Sequence, residues 1–444
     1  MKRGKVAAAL AGILVGVCAL SGCGDGESET PSPTKDKYDV MGLNAIPVGI
    51  YVTPDDAHRE QKYFDYMSEA GINFVNGFRW YEDTDEEVIE CLNYSEAAGL
   101  RFLVNDKTVL DNIETYFTTK NPLLIEQSMA QIPKYVDHPA YAGQFFIDEP
   151  WRGQLDDLAE FTKAYDARFG KFWSINHFGA NVQGLGCTYE QFIDDYFELT
   201  NASMYSFDTY PLLEFDESDP TAHGEMDGFF YGLDLIRTKT LEKKVPFWAY
   251  VQTLGIGANG ILEKRTPDRE DIRWNVFVNL AFGAKGIQYF TYFTPGSGTE
   301  TFTEGMIGLD GEKTVRYDYI KEVDHEFHKY GEILLHCDAE GIIYNKQSSN
   351  RRYRLYSEKF ESYGSVESVE GDSFIAGCFK HTGTGKNYLF ITPPTPRDSA
   401  AATLNISGKS KVSAWMKGEK KEFEVKDGKV TFQIADGDAV LVEV

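Results

Sequence analysis

The chain is short of cysteine, histidine and positive charge, and beyond its N-terminal segment it has no apolar run long enough to span a bilayer. It holds six cysteines and eight histidines in 444 residues, with 44 lysines and arginines against 69 aspartates and glutamates, a net charge of −25. That deficit argues against nucleic acid or an anionic membrane surface as ligand, since both are recognised through clustered cations. Cys91, Cys187, Cys337 and Cys378 lie in the body of the chain, too scattered for a disulfide framework or a metal knuckle. They read as a Cys337–Cys378 pair or as buried free thiols. His325 and His328 share a helix face without a third ligand, which reads as solvated histidines. Gly-x-Ser-x-Gly, His-Glu-x-x-His and the dinucleotide fingerprint are all missing. Neither a cofactor nor a metal is expected.

What is present begins with a signal. Met1 to Lys5 is basic, Val6 to Ala19 is a short apolar run, and Leu20-Ser21-Gly22-Cys23 follows. The last four residues resemble the bacterial lipobox, which implies cleavage before Cys23 and lipid on its thiol. Residues 1–22 are then a signal peptide. Residues 23–44, with "GDGESETPSPTKDKYD", have the composition of a flexible tether. The mature chain is expected to be lipid-anchored on the extracytoplasmic side of the cell membrane, touching it only through that lipid.

Over 45–338, short strand-like runs alternate with segments of helical period. The runs are "PVGIYV", "NFVNGFRW", "RFLVND", "YAGQFFIDE", "KFWSINH", "ASMYSFDTY", "PFWAYVQ" and "GIQYFTYF". Helices are expected to open at Thr53-Pro54-Asp55 and Thr266-Pro267-Asp268 and to close at Gly71 and Gly286. The alternation predicts a (β/α)8 TIM barrel. A doubly wound sheet fits less well, because no Gly-rich turn follows the first strand. Residues 339–444 change to strands separated by turns and predict a C-terminal antiparallel β-sandwich, with "HTGTGKN" as a hairpin turn.

The most informative stretch is "YAGQFFIDEPW", a buried-looking strand that ends on two carboxylates, Asp148 and Glu149. Such a pair is either held by cations, here Arg79, Arg101 or Lys107, or kept for chemistry. In a (β/α)8 barrel the strand ends converge on one bowl. Those ends carry Tyr51, Trp80, Asn105, Asp106, Asp148, Glu149, Asn176, His177, Asp208, Tyr210, Gln252 and Tyr292, with Trp151 just beyond the fourth. Carboxylates and amides bind hydroxyls, and aromatic faces cover the C–H side of a sugar ring. Structural readings stand beside these: Asp208 as a loop cap, His177 as a core histidine, and the acidic loop "EFDESDP" as solvated rather than calcium-binding.

The endings "FFIDEP", "LAFGAKGIQYFTYF" and "GLDGEKTVRYDYI" resemble TIM-barrel glycoside hydrolases, nearest to family 42 β-galactosidase-like barrels, over residues 45–335. The resemblance implies a carbohydrate substrate and assigns Glu149 as acid/base on the fourth strand. It also places a nucleophilic Glu at the end of the seventh strand, where this chain has Gln252; the next acid, Glu263, lies well into the loop. Hydrolysis needs a second carboxyl. Asp208 on the sixth strand is the best placed, with a separation of about 5 to 10 Å expected for a working pair. By resemblance to α-galactosidase-like barrels the two roles reverse. By resemblance to N-acetylhexosaminidases, Asp148 instead orients a 2-acetamido group while Glu149 protonates. The expected function is a surface-anchored glycoside hydrolase, with a non-catalytic glycan-binding lipoprotein as the alternative.

Overall fold

The computed structural model describes residues 37–215, 224–296, 298–345 and 354–444. The signal, Cys23 and most of the acidic loop, from Asp216 on, lie outside them. Eight parallel strands close into a barrel in the order β1-β10-β7-β6-β5-β4-β3-β2. They are β1 (Val48–Tyr51), β2 (Phe74–Asn76), β3 (Arg101–Val104), β4 (Tyr141–Asp148), β5 (Phe172–Phe178), β6 (Tyr205–Asp208), β7 (Phe247–Gln252) and β10 (Ile287–Phe290). All eight expected runs contribute one strand each. Around them lie α1 (Gln61–Glu69), α2 (Asp85–Ala97), α3 (Lys107–Thr119), α4 (Leu123–Gln131), α5 (Leu155–Arg168), α6 (Tyr189–Thr200), α7 (Phe229–Lys243), α8 (Arg269–Ala281) and α9 (Val315–Leu334). Asp268 caps α8 as expected, in a capping box with Asp271. Helix α1 starts later than Thr53, because the Thr53 hydroxyl is bonded to the buried Glu82 carboxylate and holds its segment as a loop.

Inside the barrel the side chains form layers. The lowest is apolar: Met41, Phe74, Leu103, Ala142, Met204 and Trp248 pack together. Gly49 is required here, since a Cβ would come within 2.2 Å of the Phe74 ring. Above lies a layer of Asn76, Ser206 and Gln288, joined by hydrogen bonds. The third layer opens into the bowl.

The fold departs from the expected layout in two places. Residues 37–44, assigned above to the tether, are folded against the barrel's lower end. Tyr38 is 2% exposed and Met41 9%, and Asp39 accepts hydrogen bonds from the Leu43 and Asn44 amides at 2.8 and 2.9 Å. The reason is that a barrel base lined by Phe74 and Trp248 needs an apolar cover. A flap also rises from the segments that follow the last two barrel strands: β8 (Ile256–Ala258), β9 (Ile261–Lys264) and β11 (Glu300–Phe302) form a small antiparallel sheet in the order β11-β8-β9.

The remaining strands are β12 (Cys337–Asn345), β13 (Val366–Asp372), β14 (Phe374–His381), β15 (Asn387–Thr392), β16 (Ala400–Ile406), β17 (Lys411–Met416), β18 (Glu419–Glu424), β19 (Lys429–Ile434) and β20 (Val440–Glu443). A six-stranded sheet, β12-β14-β15-β20-β17-β18, faces a three-stranded one, β13-β16-β19, over an apolar core that includes Phe374, Leu389, Leu404 and Phe432. This is the expected β-sandwich, with "HTGTGKN" as its β14–β15 hairpin turn. It does not stand apart from the barrel: residues 36–444 form one compact unit. Phe390 packs on Phe277 and Tyr330, with ring centroids 6.0 and 5.1 Å away. Buried Arg273 bonds both Glu326 oxygens, at 2.9 and 3.1 Å, and Asp438 at 2.5 Å. The four body cysteines are free thiols.

If residues 37–44 are part of the fold, Met41→Ala should lower stability by about 2 kcal/mol. The measurement is a lower urea midpoint at unchanged slope; an unchanged midpoint would return this segment to the tether.

Candidate active site

Strand β4 reaches the bowl through a bulge. Phe145 pairs with Ser174 and Asp148 with Asn176, so β4 spends three residues where β5 spends two. Strict alternation would send Phe145 and Asp148 to opposite faces. The extra residue puts both inside: the Phe145 ring lies against Tyr51, and Asp148 meets the Tyr51 hydroxyl, whereas Phe146 turns out toward Tyr165 and Trp173. Glu149 then adopts a left-handed backbone, φ 51°, while its amide donates to the Asn176 carbonyl at 2.9 Å. Val52, also on the cavity wall, has φ 64°. A β-branched residue in that region is strained, and such strain gathers at functional sites.

The bowl holds a cavity of about 310 Å³. Asp148, Glu149, Asn176 and Asp208 line it together with seven aromatic side chains, Tyr51, Phe78, Trp80, Tyr210, Tyr250, Phe290 and Phe302. Glu300, Ile256 and Pro295 close it from the flap side, and among the described residues the lining contains no lysine, arginine or histidine.

A directed chain of hydrogen bonds supports the carboxyls. Asn76 Nδ2 donates to Gln288 Oε1 at 2.9 Å, and Gln288 Nε2 donates to Ser206 Oγ at 2.8 Å. Ser206 has one proton, and it goes to Asn176 Oδ1 at 2.8 Å. This fixes the orientation of the Asn176 amide, whose Nδ2 donates to Asp148 Oδ1 at 2.9 Å and Asp208 Oδ1 at 3.1 Å. Asp208 and Glu149 are hydrogen-bonded to each other. Two carboxyls in contact hold a proton between them. Burial, then the Asp148 charge and more weakly Glu300, push Glu149 up to about 7. Asp208 is raised well above the usual range by burial, then by Glu149 and Asp148. Asp148 is raised by burial, against the opposing hydrogen bond from Asn176.

The three candidate cations are engaged elsewhere. Arg79 pairs with Asp111 and Glu114, Lys107 with Asp111, and Arg101 donates to the Tyr141 carbonyl.

Of the other expected site residues, the structure brings Trp80 and Tyr210 to the cavity and takes several away from it. Trp80 is 67% exposed under the Arg79 guanidinium, and Tyr210 packs on Phe290 at 5.3 Å. Trp151 is on the rim, 4.9 Å from the Phe178 ring and outside the lining. Asn105 is a structural brace, bonded to the Arg79 amide and the Phe145 carbonyl. Asp106 faces outward and caps α3 through the Val109 amide, with Tyr135 on its other oxygen. His177 also faces outward, stacked on Tyr205 at 4.6 Å, with Nδ1 donating to the Ser206 carbonyl; burial lowers its pKa to about 3. Tyr292 is buried and donates to the Tyr63 carbonyl. Gln252 is buried beneath the flap, its Nε2 donating to the Leu254 and Arg265 carbonyls at 3.0 and 2.7 Å.

Phe78, Tyr250, Phe290, Phe302 and Glu300 were not anticipated. Period-two register would have found Phe78, Tyr250 and Phe290, each two residues beyond an interior residue: Asn76, Trp248 and Gln288. The flap residues carry no such signal.

The family 42 glycoside hydrolase model, described as Beta-galactosidase, matches residues 169–330. No curated protein matches the chain. Among solved structures, the β-galactosidase from Bacillus circulans sp. alkalophilus superposes with TM-score 0.60 at 11% identity, covering 90% of this chain and 99% of that one. A family 5 glycoside hydrolase from Bacteroides vulgatus ATCC 8482 gives TM-score 0.55 at 13% identity, over 90% and 89%. The match to the β-galactosidase of the psychrophilic Marinomonas ef1 covers 64% of this chain but only 60% of that enzyme, at 14% identity and TM-score 0.47. The barrel with its trailing sandwich is therefore the fold of glycoside hydrolases.

A raised carboxyl in the native state favours folding only while it stays protonated. Glu149 and the buried Glu82 are both raised to about 7, chiefly by burial. Their contribution should be full below the unfolded value near 4.5 and be lost as pH rises through about 7. Stability measured from pH 5 to 8 should therefore fall, and Glu149→Gln should flatten part of the slope.

Proposed function

We propose that the protein is a lipid-anchored glycoside hydrolase that cleaves O-glycosidic bonds of oligosaccharides, with Glu149 as the proton donor. One observation carries this reading: a carboxyl at the end of β4, raised to about 7, faces an aromatic-walled cavity with no basic side chain among its described lining residues. A glycosidase needs an acid that still holds its proton near neutral pH and releases it to the leaving oxygen. Burial and the adjacent Asp148 keep the proton on, and the hydrogen bond with Asp208 holds the group in place. Asn176, Asp148 and Asp208 offer hydroxyl partners, while Trp80, Tyr210 and Phe290 offer faces for the C–H side of a sugar.

The second reading is a non-catalytic glycan-binding lipoprotein. It is favoured by Gln252, an amide serving as a structural clip where a seventh-strand nucleophile is expected. A panel of aryl glycosides and natural oligosaccharides separates the two, since a binding protein would show saturable affinity and no turnover. Activity confined to 2-acetamido sugars would make Asp148 the assisting residue.

On an active substrate, Glu149→Gln should lower kcat by about two to four orders of magnitude. For the native enzyme, kcat/KM should fall above pH 7 as Glu149 loses its proton. Near-native turnover by that variant on substrates with poor leaving groups would remove Glu149 from the role. For the anchor, Cys23→Ala should move the protein from membrane to soluble fractions, and unchanged membrane retention would end the lipoprotein reading.

A further inference from the structure

Resting on the glycosidase reading, we infer that Glu300 is the second carboxylate of the reaction, delivered by the flap to the side of the bowl opposite Glu149. In the closed ring β1-β10-β7-β6-β5-β4-β3-β2, β10 lies four places from β4 in either direction. The flap is rooted on that far side: β8 and β9 follow β7, and β11 follows β10. Strand β11 pairs with β8 so that Phe302 is opposite Ile256 and Glu300 opposite Ala258. Glu300 and Phe302, two residues apart, share a face, and both line the cavity with Ile256. The Phe302 ring docks 6.0 Å from Phe290, which itself packs on Tyr51 and Tyr210. Thr303 ties the base, its amide donating to the Gly255 carbonyl at 3.0 Å and its hydroxyl accepting from the Gly255 amide at 2.7 Å.

The other carboxyls of the bowl are on the wrong side. Asp148 adjoins Glu149 in the chain, and Asp208 is hydrogen-bonded to it, leaving no room between them for a sugar or a water. Gln252 occupies the usual place of the opposing carboxylate, and its amide clips the β8–β9 hairpin at Leu254 and Arg265. The residue that replaces the expected acid thus supports the element that carries another one.

Glu300 is exposed at the cavity mouth, and in the proposed reaction a water lies between it and the bound sugar. In the step this arrangement supports, that water gives a proton to Glu300 as its oxygen bonds to the anomeric carbon. The glycosidic C–O bond breaks, and the leaving oxygen takes the proton of Glu149. Exchange with solvent then returns both carboxyls to their starting states, and the product has inverted configuration.

The test uses the full-length protein and a substrate found by screening. Glu300→Gln should lower kcat by about a hundredfold or more, with KM changed only a few-fold and the thermal midpoint unchanged. Glu300→Ala should be rescued by azide to give a glycosyl azide, and nuclear magnetic resonance of the native reaction should show inversion. Full turnover by Glu300→Gln beside an inactive Glu149→Gln would overturn this inference and leave the glycosidase reading standing, as would retention of configuration. Absence of turnover by the native protein on every glycoside would overturn both.

Discussion

Three carboxyls can share one bowl, with no lysine, arginine or histidine among its described lining residues, only if something else supports their charge, and here that support is a one-way line of hydrogen bonds. It starts at Asn76, passes through Gln288 and Ser206, and ends on the two N–H groups of Asn176, which point at Asp148 and Asp208. Each member is fixed by the one before it. The serine has a single proton to give, so reversing the Asn176 amide would set two donors against each other below and turn a carbonyl toward the carboxylates above. The line draws on β2, β10, β6 and β5, so the electrostatics of the site depend on barrel closure.

The same layer separates two demands. Below it, Met41, Phe74 and Trp248 supply burial that stabilises the barrel without taking part in recognition. Above it, Tyr51, Tyr250 and Phe290 present aromatic surface to the cavity while Asp148, Glu149 and Asp208 crowd together, their pKa values raised by desolvation and, for Glu149 and Asp208, by neighbouring carboxylates. The barrel is joined to the sandwich by apolar contacts among Phe277, Tyr330 and Phe390. Gln252 is the junction between scaffold and site: as an amide it serves the flap, and the flap brings Glu300.

Much was legible before folding because it rests on local periodicity. Eight strand runs alternating with helical segments, followed by strands alone, reflect how each element must bury one face, and all eight runs became barrel strands. The acids ending β4 and Asp208 ending β6 were legible too, because charge at the end of an apolar run is visible in one dimension. His177 and Asp106 were misplaced because a strand end carries one inward and one outward residue, and in these runs both looked polar enough for a site. Residues 37–44 read as tether because three apolar side chains in a polar stretch acquire meaning only beside the open base of a barrel.

The sequence by itself determined the barrel, the sandwich and the presence of paired acids at a strand end, since all three follow from spacing along the chain. Tertiary structure decided which way those acids face, through a one-residue bulge in β4 that no composition signals. It decided their protonation, because burial and the Glu149–Asp208 contact join residues from different strands. It also decided that Glu300, about fifty residues from the seventh strand's end in the chain, faces the same cavity, because only pairing of β11 with β8 carries it there. A pKa and a facing carboxylate are properties of distances through space, and a linear sequence records only distances along the chain.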